Sequence, residues 1–285
     1  MSRFDSSAFA PVSRKAFLAG AAGLISAVAL AGCSGGEGDG DSSTLTVAAS
    51  PSPHAEILND FAKPRLEKRG IALEVVEYTD YIKPNQDTVT GDVDANYFQH
   101  INYLNNYNEE NGTDLVNAGK VHFEPMGVFS EKHASLDEIA DGAVVAVPND
   151  PTTEGRALLL LQDKGIIVLD EGAGITATPN DIAENPYNLS FSEQEAAALP
   201  RTVSDVDFSI INGNYAIDAG LSLEDAVAQE DAQSDVIQNE YANIICTSAD
   251  KADDERVKGL VEVLQTDEFR QYLADTYGDA VQAAF

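Results

Sequence analysis

Ala143-Val144-Val145-Ala146-Val147-Pro148-Asn149-Asp150-Pro151-Thr152-Thr153-Glu154-Gly155-Arg156 runs from an apolar strand into a capped helix. The apolar run reads as a buried strand, and Pro148 ends it. Asp150 or a threonine can cap the helix, and Pro151 suits its first position. Leu158 to Leu161 supply the core face of a helix over 154–164. The free N–H groups and the positive end of the helix dipole point at one spot. Arg156 lies in the first turn. Its guanidinium either forks onto a carboxylate there or stays on the surface of an ordinary capped helix.

The same alternation extends in both directions. Residues 45–49 and 73–78 are β-prone, with a helical pattern between them whose face is Ile57, Leu58, Phe61 and Ala62. Pro64 should kink or split that helix. Residues 93–96 form a strand candidate, 97–111 read as helix, and 122–130 read as extended. Strands follow at 208–211 and 242–246, then helical patterns built on Val257, Leu260, Val261 and Leu264 and on Phe269, Tyr272, Leu273 and Tyr277. Strands alternating with helices imply an α/β fold with mainly parallel sheets. Ligands in such folds sit where strand ends meet helix N-termini.

The N-terminus sets the compartment. Arg14 and Lys15 precede an apolar run from Phe17 to Leu30, followed by Leu30-Ala31-Gly32-Cys33. A charged start, an apolar middle and small residues before a cut make a secretory signal. The cysteine after those small residues resembles a bacterial lipobox. That implies cleavage after residue 32 and lipidation of Cys33, palmitate included, with the chain tethered at the extracytoplasmic face of the cell membrane. Ser13-Arg14-Lys15 also looks like a twin-arginine signal with Lys in second place. The apolar run is too short and too rich in glycine for a spanning helix. Residues 33–43 read as the lipidated cysteine and a flexible spacer.

Removing residues 1–32 leaves 14 basic and 47 acidic residues, a net of −33. Such a surface repels nucleic acid and anionic lipid. With Cys33 lipidated, Cys246 has no partner for a disulfide and reads as a small core residue. Residues 44–285 hold neither a Gly-x-Ser-x-Gly elbow nor a His-Glu-x-x-His motif, so no enzyme is expected. His54, His100, His122 and His133 are widely spaced, which gives no metal site and calls for no cofactor.

Polar groups mark three strand ends. Asp94-Ala-Asn96-Tyr-Phe98-Gln-His100 with Tyr103 mixes amide, aromatic and imidazole groups. It suits a ligand with an apolar body and a polar head, or else an ordinary helix start. Asn212-Gly213-Asn214 follows the strand at 208–211 and is either a ligand-facing amide pair or a plain turn. Asn243 opens an apolar strand, where a buried amide needs a partner.

These segments together resemble the methionine-binding lipoprotein family (NlpA type), the substrate-binding subunits of ABC importers. The matching stretches include Ala49-Ser-Pro-Ser-Pro-His54-Ala-Glu-Ile57, Asp80-Tyr81-Ile-Lys-Pro-Asn85, Gly91 to His100, Val147 to Arg156, Glu184-Asn-Pro186, Leu199-Pro-Arg201 and Ile211-Asn212. They keep their order over nearly all of 44–285. The resemblance implies a two-lobe periplasmic-binding-protein-like fold (type II), lobes joined by two crossing strands. Lobe 1 would be 44–122 plus 241–285, and lobe 2 would be 123–240, with crossings near 122–130 and 241–247. It also implies a ligand site at Tyr81, Asn96, Phe98, His100, Tyr103, Arg156, Asn212 and Asn243. Arg156 would take the ligand carboxylate, Asn212 and Asn243 the amino-acid head group, and the aromatic residues an apolar or thioether side chain. The implied function is capture of L-methionine, or a close analogue, for delivery to an importer's permease and ATPase subunits. A different amino acid, a short peptide or a metal ion is the alternative cargo. Ser50 to His54 and Asn214 depart from the pattern of some relatives, near the expected cleft.

Overall fold

The apolar run at Val144 becomes an inner strand because both of its edges find partners. The computed structural model describes residues 43–285, which lie in one compact unit, Gly40–Phe285. The signal segment, Cys33 and nearly all of the spacer lie outside the described residues.

In chain order the strands are β1 Thr44–Ala49, β2 Ala72–Glu77, β3 Ala95–His100, β4 Val116–Phe123, β5 Gly127–Phe129, β6 Val144–Pro148, β7 Val168–Leu169, β8 Ile182–Glu184, β9 Ser190–Gln194, β10 Phe208–Ile211, β11 Ala228–Gln229, β12 Asn243–Thr247 and β13 Gln282–Ala283. The α-helices are α1 Lys63–Glu67, α2 Lys83–Thr90, α3 Ile101–Asn111, α4 Pro151–Asp163, α5 Gly213–Asp218, α6 Asp235–Glu240, α7 Glu255–Val263 and α8 Asp267–Tyr277. One sheet has the order β13-β4-β12-β3-β1-β2 and a second has β11-β5-β10-β6-β9. The chain leaves the first sheet after Phe123, enters the second at Gly127, and returns between Gln229 and Asn243. This is the two-lobe α/β architecture.

Period-2 alternation splits each strand's residues between faces. Val145 and Val147 of β6 pack with Leu158, Leu161, Phe208 and Ile210, whereas Ala146 packs with Leu199, Ile211 and Tyr215 on the other side. The first sheet has its own core, in which Leu45, Val47, Phe61, Tyr97, Ile245, Leu260 and Phe269 are buried. Each lobe therefore holds its own apolar interior, and polar residues are left to line the space where the lobes meet.

The structure departs from the sequence reading in strand direction and in the extent of β3. The sheets are mixed rather than mainly parallel: β1 pairs in parallel with β2 and β3, but β12 runs antiparallel to β3 and β4. Residues 97–100 belong to a strand, not to the helix that begins at Ile101. Their amide and imidazole side chains weaken the strand signal, but hydrogen bonding to β1 on one side and β12 on the other overrides local propensity. The helical stretch after β1 does split at Pro64, as its sequence predicts: π-helical turns at Ile57–Ala62 give way to α1, where the proline occupies the first turn.

Candidate functional site

The turn from β6 into α4 forms as its residues dictate. Asp150 caps the helix, its Oδ1 accepting from the Thr153 backbone N–H at 3.2 Å, and Pro151 takes the first position. Gly155 lies against the Ile175 carbonyl, which a Cβ there would approach to 2.0 Å. This close approach sets the rotation of the first turn and aims Arg156 inward, where it is 5% exposed.

Arg156 lines a cavity between the two lobes. Tyr81, Phe98, Gln99, His100, Tyr103 and Asn243 face it from the first lobe, Thr153, Arg156, Asn212, Gly213 and Asn214 from the second, and Glu124 from the passage between them.

The charges are paired in an order the sequence did not reveal. Arg156 donates from Nε to Glu230 Oε1 at 2.7 Å and from Nη2 to Glu230 Oε2 at 2.6 Å. Nη2 also donates to the Glu124 carbonyl at 2.9 Å, and the Tyr241 ring lies 4.5 Å from the guanidinium carbon. Burial alone would lower the pKa of Arg156, but the Glu230 carboxylate outweighs it and keeps the cation secure. The fork therefore faces Glu230, leaving Nη1 without such a bond among the described residues.

Glu124 is the cavity's own carboxylate. Its Oε1 lies 2.6 Å from His122 Nε2 and 3.5 Å from His54 Nε2, and it accepts the backbone N–H of Asn214. Burial raises its pKa. Burial lowers the pKa of His54 to about 4 and of His122 to about 3, so both rings are neutral near pH 7. The Tyr97 hydroxyl bonds His122 Nδ1, which leaves a proton on Nε2 to donate to Glu124. His54 Nε2 in turn donates to Asn243 Oδ1 at 3.0 Å. His54, His122 and Glu124 bring three donor atoms within 4.8 Å of one another, close enough for a metal ion. Hydrogen bonds join these atoms and Asn243 into a buried polar network.

Two buried side-chain atoms of the wall have no partner among the described residues. His100 Nδ1 accepts from the Tyr103 N–H at 3.2 Å, which puts its proton on Nε2. That Nε2 is buried and unpartnered, and so is Asn212 Oδ1. Burial first, and then the Arg156 charge, lower the pKa of His100 to about 3, so the ring stays neutral. The cavity wall thus carries a neutral donor at His100 Nε2–H, the Arg156 cation, and acceptors at Asn212 Oδ1 and Glu124. Buried groups of this kind stabilise the structure only when a ligand or water completes them.

Beyond the polar groups stand aromatic rings. Phe98, Tyr81 and Tyr103 lie 5.7–5.9 Å apart between centroids, and Tyr215 packs on Tyr81 at 4.9 Å. The Tyr81 hydroxyl donates to Asn214 Oδ1 at 2.5 Å, and the Tyr215 hydroxyl donates to the Thr79 carbonyl at 3.1 Å, both across the two lobes.

Of the residues singled out in the sequence, Tyr81, Phe98, His100, Tyr103, Arg156, Asn212 and Asn243 line this cavity, and Asn96 does not. The β3–β12 register shifts opposite Phe98, so Asn96 and Gln99 fall on the same side. Asn96 is instead spent on Asn85 and Thr88, behind the wall. Glu124, Glu230 and Tyr215 were missed. Glu124 had a signal, since an ionisable residue interrupts the apolar alternation of Val121-His-Phe-Glu-Pro125. Glu230 lies in an acidic stretch and had none. Cys246 is buried, and burial pushes its thiol up to about 12, in keeping with a core role.

The sequence model described as NlpA lipoprotein matches residues 45–285. The D-methionine-binding lipoprotein MetQ of Salmonella typhimurium is 41% identical over 249 residues, covering 86% of this chain and 89% of the relative. A lipoprotein crystallised from Ruminococcus gnavus superposes with a TM-score of 0.82 at 48% identity, covering 85% of this chain and 99% of that one. A nutrient binding protein from Burkholderia cenocepacia, solved bound to methionine, gives 0.80 at 42% identity, with 85% and 100% covered.

Proposed function

Because the chain belongs to the NlpA lipoprotein family, we propose that it is the substrate-binding lipoprotein of an ABC importer and that it holds methionine in the cavity between its lobes. The observation that carries this reading is a cavity wall that combines an unspent donor and a cation with an unspent acceptor and a carboxylate. An α-carboxylate fits His100 Nε2–H and Arg156 Nη1, and an α-ammonium fits Asn212 Oδ1 and Glu124. Asn243, held by His54, would complete the head-group contacts. Tyr81, Phe98 and Tyr103 would enclose the side chain, and a thioether beside aromatic rings is favourable. The boundary between lobes falls near residues 123 and 241. Lipid on Cys33 would tether the protein at the extracytoplasmic face of the membrane, and the closed form would dock on the permease, which acts with its ATPase. Such a protein releases its ligand unchanged.

Titration calorimetry with the common amino acids and both enantiomers of methionine tests the reading. Methionine should bind with one site per chain, and other amino acids should bind more weakly. Absence of heat with every amino acid and short peptide would reject it.

A further inference from the structure

Glu230 lies outside the cavity wall yet governs the charge the wall presents. It is 6% exposed, and its carboxylate accepts both fork nitrogens of Arg156. Its Oε2 also accepts the Met126 N–H at 2.7 Å, which fixes it to the passage between lobes. The cation of Arg156 is therefore matched before any ligand arrives. The other titratable groups around it add no positive charge: His54 and His100 are neutral, and burial pushes Tyr241 up to about 12. An arginine facing a ligand carboxylate with no counter-ion would favour any carboxylate, including those that lack an ammonium group.

We propose that Glu230 is a specificity-determining residue that cancels the Arg156 charge, so that the cavity accepts a zwitterionic amino acid and rejects a net anion of the same shape. This rests on the amino-acid reading above. Glu230 acts through Arg156 and needs no contact with the ligand, which makes it a positioning residue. Glu124 sharpens the effect, since a carboxylate at the ammonium end repels a ligand that brings no cation there.

The test compares methionine with its α-hydroxy acid analogue, which keeps the carboxylate and thioether but carries a net charge of about −1 at neutral pH. Affinities for both are measured by calorimetry on the wild type, Glu230→Gln and Glu230→Asp. The wild type should prefer methionine. Glu230→Gln leaves the guanidinium charge unmatched, so that preference should narrow by about tenfold or more. Glu230→Asp keeps the charge with a shorter reach, so both affinities fall together and the ratio holds. A ratio within about twofold of wild type in Glu230→Gln would overturn the proposal. If Glu230→Gln does not fold, a ratio shifted by tenfold in Glu230→Asp would overturn it equally. Failure of wild-type protein to bind methionine would instead refute the function itself, so the two failures are distinguishable.

Discussion

His100 shows how one buried imidazole can keep a fixed hydrogen-bonding direction. Its pKa of about 3 lies below the ordinary histidine value of 6.5. Between these values the unfolded chain binds a proton that the folded chain refuses, so stability falls as the pH drops through this window. His100→Gln removes that contribution. Urea unfolding of ligand-free protein should show the wild type losing about 1 kcal/mol more than the variant per pH unit below 6.5. Equal slopes would mean that the ring is protonated in the fold. Glu124→Gln should weaken methionine binding by about 2–5 kcal/mol, because the ammonium would lose a buried counter-ion. Unchanged affinity would place the ammonium elsewhere. At this scale the sequence was informative wherever a polar residue sits at a strand end, as Asn212, Asn243 and His100 do. It was silent on Glu230, because an acid in an acidic chain gives no local sign of the arginine it meets 74 positions away.

Two elements hold the geometry. The first turn of α4 depends on Gly155, whose missing Cβ admits the Ile175 carbonyl. Gly155→Ala should cost roughly 1–3 kcal/mol through overpacking and turn Arg156 away from Glu230. Thermal melts and methionine titration should both register it, and a variant with wild-type values would show that the turn shifts freely. The second element is the segment between β2 and α2, clasped to α5 by Tyr215 and Tyr81. Tyr215→Phe keeps the ring and removes the bond to Thr79. Stopped-flow binding should show faster methionine release with little change in association, since most effects of single contacts fall on dissociation. An unaltered release rate would show that the clasp bears no load. The strand–turn–helix of α4 was legible because its cap, prolines and apolar run agree. Residues 97–100 of β3 were misread as helix because their pairing partners lie far away in sequence.

At the scale of the whole molecule, two lobes with separate cores enclose a polar seam between them. A ligand that touches both lobes favours their closed arrangement in proportion to its difference in affinity for the two states. Family membership made this architecture readable from the ordered motifs, while the mixed strand directions emerged only from the pairing. The direct test of the central claim is a crystal grown with L-selenomethionine and measured at the selenium edge. The account predicts one anomalous peak among Tyr81, Phe98 and Tyr103, with the ligand's carboxylate toward Arg156 and His100 and its ammonium toward Glu124. Selenium found only outside the seam between the lobes, or a head group turned the other way round, would contradict it.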